Sequence, residues 1–95
     1  MKLVDLATIN TNYIEADFWL IRRGGINRCG EPTRQFNPEH IGIKVLRIDV
    51  LLPHYLFYVL VTIHQQKHWE RLATGSLKLV NIRVEDVKNI KLSAT

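Results

Sequence analysis

A long apolar stripe constrains the fold of this chain more than any other feature of the sequence. Four residues recur at the spacing i, i+3, i+4 and i+7, which places them on one face of a helix: Leu56, Val59, Leu60 and Ile63. Pro53 fits the first turn, where its missing N–H removes no hydrogen bond. Gly75 stands where a C-terminal cap belongs. The spacing therefore predicts one long helix over residues 53–73.

Shorter strand patterns lie on both sides of this helix. Within residues 17–23 the four residues 18–21 are bulky or β-branched, and a Gly pair follows, which predicts a strand, a hairpin turn and a return strand at 26–29. Residues 41–47 alternate between apolar and other side chains, which is typical of a strand with one buried face. Residues 31–40 hold two prolines and are predicted to form an ordered loop.

The two ends of the chain carry weaker signals. Residues 77–83 are predicted as a strand, 84–89 as a helical turn and 90–92 as a last short strand, while 1–15 form a helical or extended lead-in. Together these elements predict an α+β fold, with a small twisted mixed or antiparallel sheet packed on one long helix.

Length and composition limit the class of protein. Ninety-five residues, 46% of them hydrophobic, predict a single domain over residues 1–95 with one core and exclude a disordered tail. One cysteine excludes an intramolecular disulfide framework and favours a reducing compartment, so we expect a cytoplasmic protein. No signal peptide is visible, and the apolar run at 55–63 is far shorter than the roughly 20 residues that span a bilayer.

The net charge of +4 is unevenly distributed along the chain. Residues 1–21 hold one basic and three acidic side chains, a net of −2. Residues 22–47 hold six basic and two acidic side chains, a net of +4, and residues 48–95 a net of +2 from six against four. Arginine dominates the middle segment, and its rigid donor fork suits phosphates and guanine edges. The alternative is that these arginines decorate a solvated hairpin.

Catalytic and metal-binding patterns are weak. Cys29, His40, His64 and His68 match no zinc-finger spacing, and the His64–His68 pair lacks the glutamate of the helical metalloprotease motif. Cys29 with His40 or His54 is a formal thiol–imidazole pair, but no nucleophile motif surrounds it. No phosphate-binding loop is present either. We expect no enzyme, no cofactor and no metal.

The segment Thr74-Gly75-Ser76 lies between two basic residues, Arg71 and Lys78. Such a turn can approach a DNA backbone closely and donate hydrogen bonds from its hydroxyls and backbone N–H groups. The alternative is an ordinary helix cap.

The order of the segments resembles the target-recognition domain of type I restriction–modification specificity subunits. The resemblance covers residues 16–92. It is carried by Ala-Asp-Phe-Trp-Leu-Ile-Arg-Arg-Gly at 16–24, Leu-Pro-His-Tyr-Leu-Phe-Tyr-Val-Leu at 52–60, Ala-Thr-Gly-Ser at 73–76 and the closing strand, helical turn and strand at 81–92. The family's second recognition domain and long subunit-docking helices have no counterpart in this sequence, so docking to a methyltransferase by the family's route is not expected.

The resemblance and the charge pattern together predict a non-catalytic module that binds double-stranded DNA through residues 22–47 and the 74–78 turn. The candidate DNA-binding residues are Arg22, Arg23, Arg28, Arg34, Gln35, Lys44, Arg71, Thr74, Ser76 and Lys78. Arg28, Arg34 and Gln35 are the candidates for base contacts, and every residue of the set except Gln35 is a candidate for phosphate contacts.

A second hypothesis is a protein-interaction module. The chain would then be a truncated mimic of a specificity subunit that contacts restriction–modification subunits, or a small protein that forms a homodimer through the exposed side of its helix.

Overall fold

The computed structural model describes residues 1–72, 74–75 and 80–92; for residues 74 and 75 it describes the backbone. The strands in this part of the chain are β1 (Ala7–Thr11), β2 (Phe18–Leu20), β3 (Arg23–Gly24), β4 (Pro32–Thr33), β5 (Ile41–Val45), β6 (Thr74–Gly75) and β7 (Val80–Asn81). The α-helices are α1 (Pro53–Gln65) and α2 (Val84–Lys88), and 3-10 turns occupy Leu3–Asp5 and Trp69–Arg71.

The larger sheet has four antiparallel strands in the order β1-β5-β2-β4. β5 lies in its interior because every second residue is apolar, and Ile41, Ile43 and Val45 are buried on one face. Phe18 pairs with Ile43 and Leu20 with Ile41, so the buried faces of β2 and β5 coincide. Helix α1 adds Leu56 and Leu60 to the same core.

The opposite face of this sheet is covered by the turn between β1 and β2. Trp19 lies on that face and donates from Nε1 to the carbonyl oxygen of Tyr13 at 2.8 Å. Gly42 makes this cover possible, because a Cβ at that position would lie 2.8 Å from the Cβ atoms of Tyr13 and Ala16. Glycine is therefore required here for close approach.

The smaller sheet has three antiparallel strands in the order β3-β7-β6. Cys29 joins this sheet to the preceding turn, since its buried Sγ lies 3.1 Å from the carbonyl oxygen of Val80. Ile82 N donates to the carbonyl oxygen of Arg22 at 3.0 Å and extends the pairing. The pairing in this second sheet was not predicted from the sequence, although β7 lies within the strand predicted at 77–83, because it joins segments that are distant along the chain.

Helix α1 begins at Pro53, as predicted, and its continuous part ends at Gln65 rather than near residue 73. The chain turns at Lys67, whose φ is 63°, and continues as the 3-10 turn Trp69–Arg71. This break lets the buried indole of Trp69 pack against Gly30. Gly30 has φ of 84°, and a Cβ there would lie 1.9 Å from Trp69 Cδ1, so burial of the indole requires glycine.

Several element boundaries differ from the predictions. Residues 26–29 form a turn, not the return strand of a hairpin, and β3 pairs with β7 instead. A strand at 90–92 is reduced to a single bridge between Lys91 and Lys2. The helical turn predicted at 84–89 is confirmed as α2, which begins where Arg83 N donates to Asp86 Oδ2 at 3.2 Å. The predicted α+β fold with antiparallel pairing behind one main helix is confirmed.

One part of the surface is unusually apolar. Six large apolar residues between the end of β5 and the middle of α1 are between 53% and 63% exposed: Leu46, Ile48, Val50, Leu52, Tyr55 and Tyr58. We call this set the α1 apolar surface. Among the residues described, no helix has the length and hydropathy needed to cross a membrane.

Candidate nucleic-acid interface

The smaller sheet aligns two segments that are far apart in the sequence. Arg23 of β3 is opposite Asn81 of β7, and Asn81 is opposite Thr74 of β6. The backbone therefore brings the predicted 22–47 segment and the start of the predicted 74–78 turn into one sheet. Ser76 and Lys78 lie outside the described residues, and Thr74 is placed by its backbone alone.

Arg23 connects this sheet to the loop formed by residues 34–40. Its Nη1 lies 4.0 Å from Glu39 Oε1, and both side chains are more than half exposed. The loop has its own local order. Glu39 N donates to Asn37 Oδ1 at 2.9 Å, and Gln35 N donates to Thr33 Oγ1 at 3.2 Å. These side-chain turns hold the loop in shape without a regular strand.

Arg34 lies at the other end of this loop and contacts helix α1. Its Cζ is 4.0 Å from the centroid of the Phe57 ring, and its Nη2 is 3.5 Å from His54 Nδ1. The Phe57 ring is itself held edge-to-face by the buried Phe18, with centroids 5.3 Å apart. The guanidinium of Arg34 therefore lies over a ring that packs against the core.

These contacts define a continuous surface. We call Arg23, the 34–40 loop with Gln35, and Arg34 the basic loop surface. It extends from the smaller sheet to the first turn of α1. Sequence reasoning found its arginines but missed His54 and Phe57, because Phe57 has the pattern of a core residue and an isolated His54 carries no motif.

Two other predicted arginines lie near the smaller sheet. Arg28 pairs with Glu31, with Nε 3.0 Å from Oε2, on the turn that follows β3. Arg22 uses its backbone to bind Ile82, and its side-chain Nε is buried without a hydrogen-bond partner in the described part of the chain.

Lys44 lies apart from the basic loop surface. Ile43 and Val45 of β5 face the core, so Lys44 is on the opposite face together with Trp19. Arg34 is on the α1 side of the sheet, where it covers Phe57.

Arg71 is an exposed residue of the 3-10 turn that follows α1. Its positive charge helps to lower the pKa of His68, after the larger effect of burial. Arg71 belongs to the segment that leads into β6, so the backbone connects it to Thr74.

The histidines and the cysteine do not assemble into a site in the described residues. No three His, Cys, Asp or Glu side chains come together there in a way that would hold a metal ion. His64 Nε2 is 2.8 Å from the carbonyl oxygen of Asn27, and His68 packs edge-to-face on Trp69. Burial raises the pKa of the Cys29 thiol, which is opposite to the change that activates a nucleophile.

The fold is that of the recognition domains of type I restriction–modification specificity subunits, as the resemblance over residues 16–92 predicted. A solved structure with this fold is the S subunit of a type I restriction–modification system from M. genitalium. It matches with a TM-score of 0.70 over 95% of this chain and 32% of that chain, at 15% sequence identity. The chain thus spans about a third of the length of that S subunit. At this identity the likeness concerns the fold. No family model and no curated protein matches the sequence.

Proposed function

We propose that this chain is a non-catalytic domain that binds double-stranded DNA in the manner of a specificity-subunit recognition domain. The observation that carries the proposal is the shared fold with the S subunit. In this fold the basic loop surface forms a continuous stretch that includes Arg23, Gln35 and Arg34. DNA binding by such a surface rests mainly on phosphate neutralisation, with base contacts adding specificity.

The ion pairs of the free protein are compatible with this role. Arg23 and Arg28 each contact one carboxylate, of Glu39 and Glu31, and both pairs are solvent-exposed. Exposed pairs contribute only about 0–1 kcal/mol, so a DNA phosphate can replace the carboxylate at little cost. Arg22 and Arg71, with the 74–78 turn, are proposed as further phosphate contacts, and Lys44 is proposed as a contact from the opposite face of the larger sheet.

Arg34 is the leading candidate for reading a base. An arginine reads guanine by donating two parallel hydrogen bonds to O6 and N7. Contact with the Phe57 ring restricts the guanidinium before DNA binds, which reduces the conformational entropy lost on binding. Two further residues are proposed for base contacts: Gln35, the next residue on the same loop, and Arg28, on the turn that follows β3.

The proposed role needs no catalytic group and no cofactor of this chain. Its partners would be double-stranded DNA and subunits of a restriction–modification system in the cytoplasm. The buried Cys29, with its raised pKa, supports a structural role for the thiol. A thiol-labelling rate below that of free cysteine would fit this role, while rapid alkylation at neutral pH would contradict it.

Fluorescence anisotropy with random-sequence duplexes at several salt concentrations tests DNA binding. Five or six phosphate contacts predict a log–log salt slope of roughly −5. Arg23→Ala should weaken binding, whereas the control Lys88→Ala should not. Lys88 is also ion-paired, with Glu85, but lies on α2, outside residues 22–47 and the 74–78 turn. Absence of binding at low salt, or a flat salt response, would refute the proposal.

The α1 apolar surface favours a second candidate, a module that binds restriction–modification subunits without DNA. Exposed apolar patches of this kind commonly mark protein contacts. Retention of purified restriction–modification subunits by the immobilised chain, with no affinity for duplex DNA, would favour this function over the first. Retention of duplex alone would reject it.

A further inference from the structure

A groove beside α1 brings a lysine next to apolar walls. Its volume is about 480 Å³, within the range of small-ligand sites. The walls come from the helix, from the segment before it and from residues near both ends of the described chain: Leu6, Val50, Leu51, Val59, Ile63 and Leu92. Met1 and Lys91 line the same cavity, which we call the α1 groove. An apolar wall and a cationic side chain in one cavity complement the two halves of an amphipathic anion.

Lys91 has no carboxylate partner among the residues that the structure describes. Lys67 and Lys88 differ in this respect, since their Nζ atoms lie 3.8 Å and 3.7 Å from glutamate oxygens. Helix α1 contains no Asp, Glu, Lys or Arg, and no described residue that lines the groove carries a side-chain carboxylate. The α1 groove therefore has a positive charge that no described carboxylate neutralises within ion-pairing distance.

A second lysine lies directly opposite Lys91. Lys2 and Lys91 form an antiparallel bridge, and residues opposite each other in such a pair have Cβ atoms about 4.5–5.5 Å apart. Like charges at such positions are destabilising. Lys2 Nζ donates to Asn89 Oδ1 at 3.3 Å, which is a neutral acceptor, and the Asp5 carboxylate accepts from the backbone N of Lys2 at 2.9 Å. An anion bound beside Lys91 would therefore relieve a repulsion that exists in the free chain.

The walls of the α1 groove suit an alkyl chain. The helix residues that line it run from Tyr55 to Ile63, a rise of about 12 Å along the axis, comparable to an extended chain of about ten carbons. Methylene groups cover aliphatic walls without leaving a polar group to satisfy. An extended peptide in the same place would need hydrogen-bond partners for its backbone, which aliphatic side chains do not provide. The chemistry of the groove therefore favours a single-chain amphipathic anion.

We propose that the α1 groove binds a free amphipathic carboxylate, with its alkyl chain against α1 and its carboxylate beside Lys91 and Lys2. Burial of the chain supplies most of the affinity, and the solvent-exposed ion pair supplies the preference for a negative head group. The proposal does not rest on DNA binding, because the α1 groove and the basic loop surface have no residue in common.

Calorimetric titration of the full chain with decanoate, below the concentration at which it forms micelles, should show saturable binding at one site. Decyltrimethylammonium has the same alkyl chain with a positive head group and should bind about tenfold more weakly. Lys91→Gln should weaken decanoate binding about fivefold and remove most of this preference. Lys44→Gln is the matched control, since Lys44 also lacks a carboxylate partner in the described chain but lies on β5, away from the groove. No saturable decanoate binding, or a preference that Lys91→Gln leaves unchanged, would overturn the proposal.

Two-dimensional amide NMR locates the ligand without a variant. Decanoate should shift the amide signals of Val59 and Ile63, which line the groove, and should leave those of the 34–40 loop in place. Shifts confined to that loop would overturn the proposal.

Two further measurements separate this proposal from its alternatives. Flotation of the chain with phosphatidylglycerol vesicles, in the absence of decanoate binding, would assign the groove to a lipid surface and overturn the proposal. Arg23→Ala should leave decanoate affinity unchanged, and Lys91→Gln should leave binding to duplex DNA unchanged. The groove and the DNA-binding proposal therefore fail separately.

Discussion

The basic loop surface and the α1 apolar surface differ in what their side chains already contact. In the free protein Arg23 has a carboxylate partner and Arg34 has an aromatic one. The exposed aliphatic side chains of the other surface have solvent on more than half of their area. A polar contact can be exchanged for a phosphate with little net change, whereas apolar area is stabilised only by being covered. Contacts made through the basic loop surface should therefore weaken as the salt concentration rises, whereas contacts made through the α1 apolar surface should not.

Gly30→Ala should have the largest effect, because it disrupts the packing on which both surfaces depend. The new Cβ would collide with the Trp69 indole at a residue whose φ is 84°. Backbone strain and overpacking together predict a loss of about 2–5 kcal/mol of unfolding free energy. Urea denaturation followed by tryptophan fluorescence measures it. Gly25→Ala, which meets nothing within 4 Å, is the control and should change little.

Arg34→Lys should come next and should affect the basic loop surface alone. Lysine keeps the charge but loses the planar fork, so affinity for the best selected duplex should fall by about 1–3 kcal/mol. Affinity for random duplex should stay within about twofold, and the mass in solution should not change. Selection from a randomised duplex pool, followed by anisotropy, measures this. Equal losses on selected and random DNA would assign Arg34 to phosphate binding.

Glu39→Gln should have a smaller effect of opposite sign. It removes the carboxylate 4.0 Å from Arg23 and should strengthen binding to random duplex by up to about 1 kcal/mol. Arg23→Ala should reduce the magnitude of the salt slope by about 1. Both variants are compared by anisotropy across a salt series. A Glu39→Gln variant that binds more weakly would show that the ion pair organises the loop.

Acidification should have the smallest effect, a loss of stability of the folded chain. Burial lowers the pKa of His40 and of His68, so the unfolded chain binds more protons than the folded chain below the ordinary histidine value. Stability should be complete above about pH 6.5 and should fall as pH drops through and below that value. Thermal melts between about pH 7.5 and 5.5, above the range where carboxylates titrate, measure the effect. His68→Gln should flatten the dependence, and an unchanged slope would assign the effect to His40.

The comparison also separates what was predictable from what was not. The start of α1 at Pro53 and the buried alternation of β5 followed from local patterns, because each depends on neighbours within one element. The end of α1 did not follow from a local pattern, because Trp69 is buried against Gly30, which is distant in sequence. The pairing of the smaller sheet likewise did not follow from a local pattern, because β3 and β7 are distant in sequence.

The candidate site was also predictable only in part. The excess of arginine in residues 22–47 is a property of composition and is visible before any folding. Only the tertiary structure decided that Arg34 lies on Phe57, that Lys44 is on the other face of the sheet, and that Arg23 aligns with β6 through β7. These outcomes depend on strand register and on the burial of side chains that are distant in sequence. Sequence by itself determined the start of α1, the alternation of β5 and the sign of the charge, and tertiary packing determined which charges share a surface.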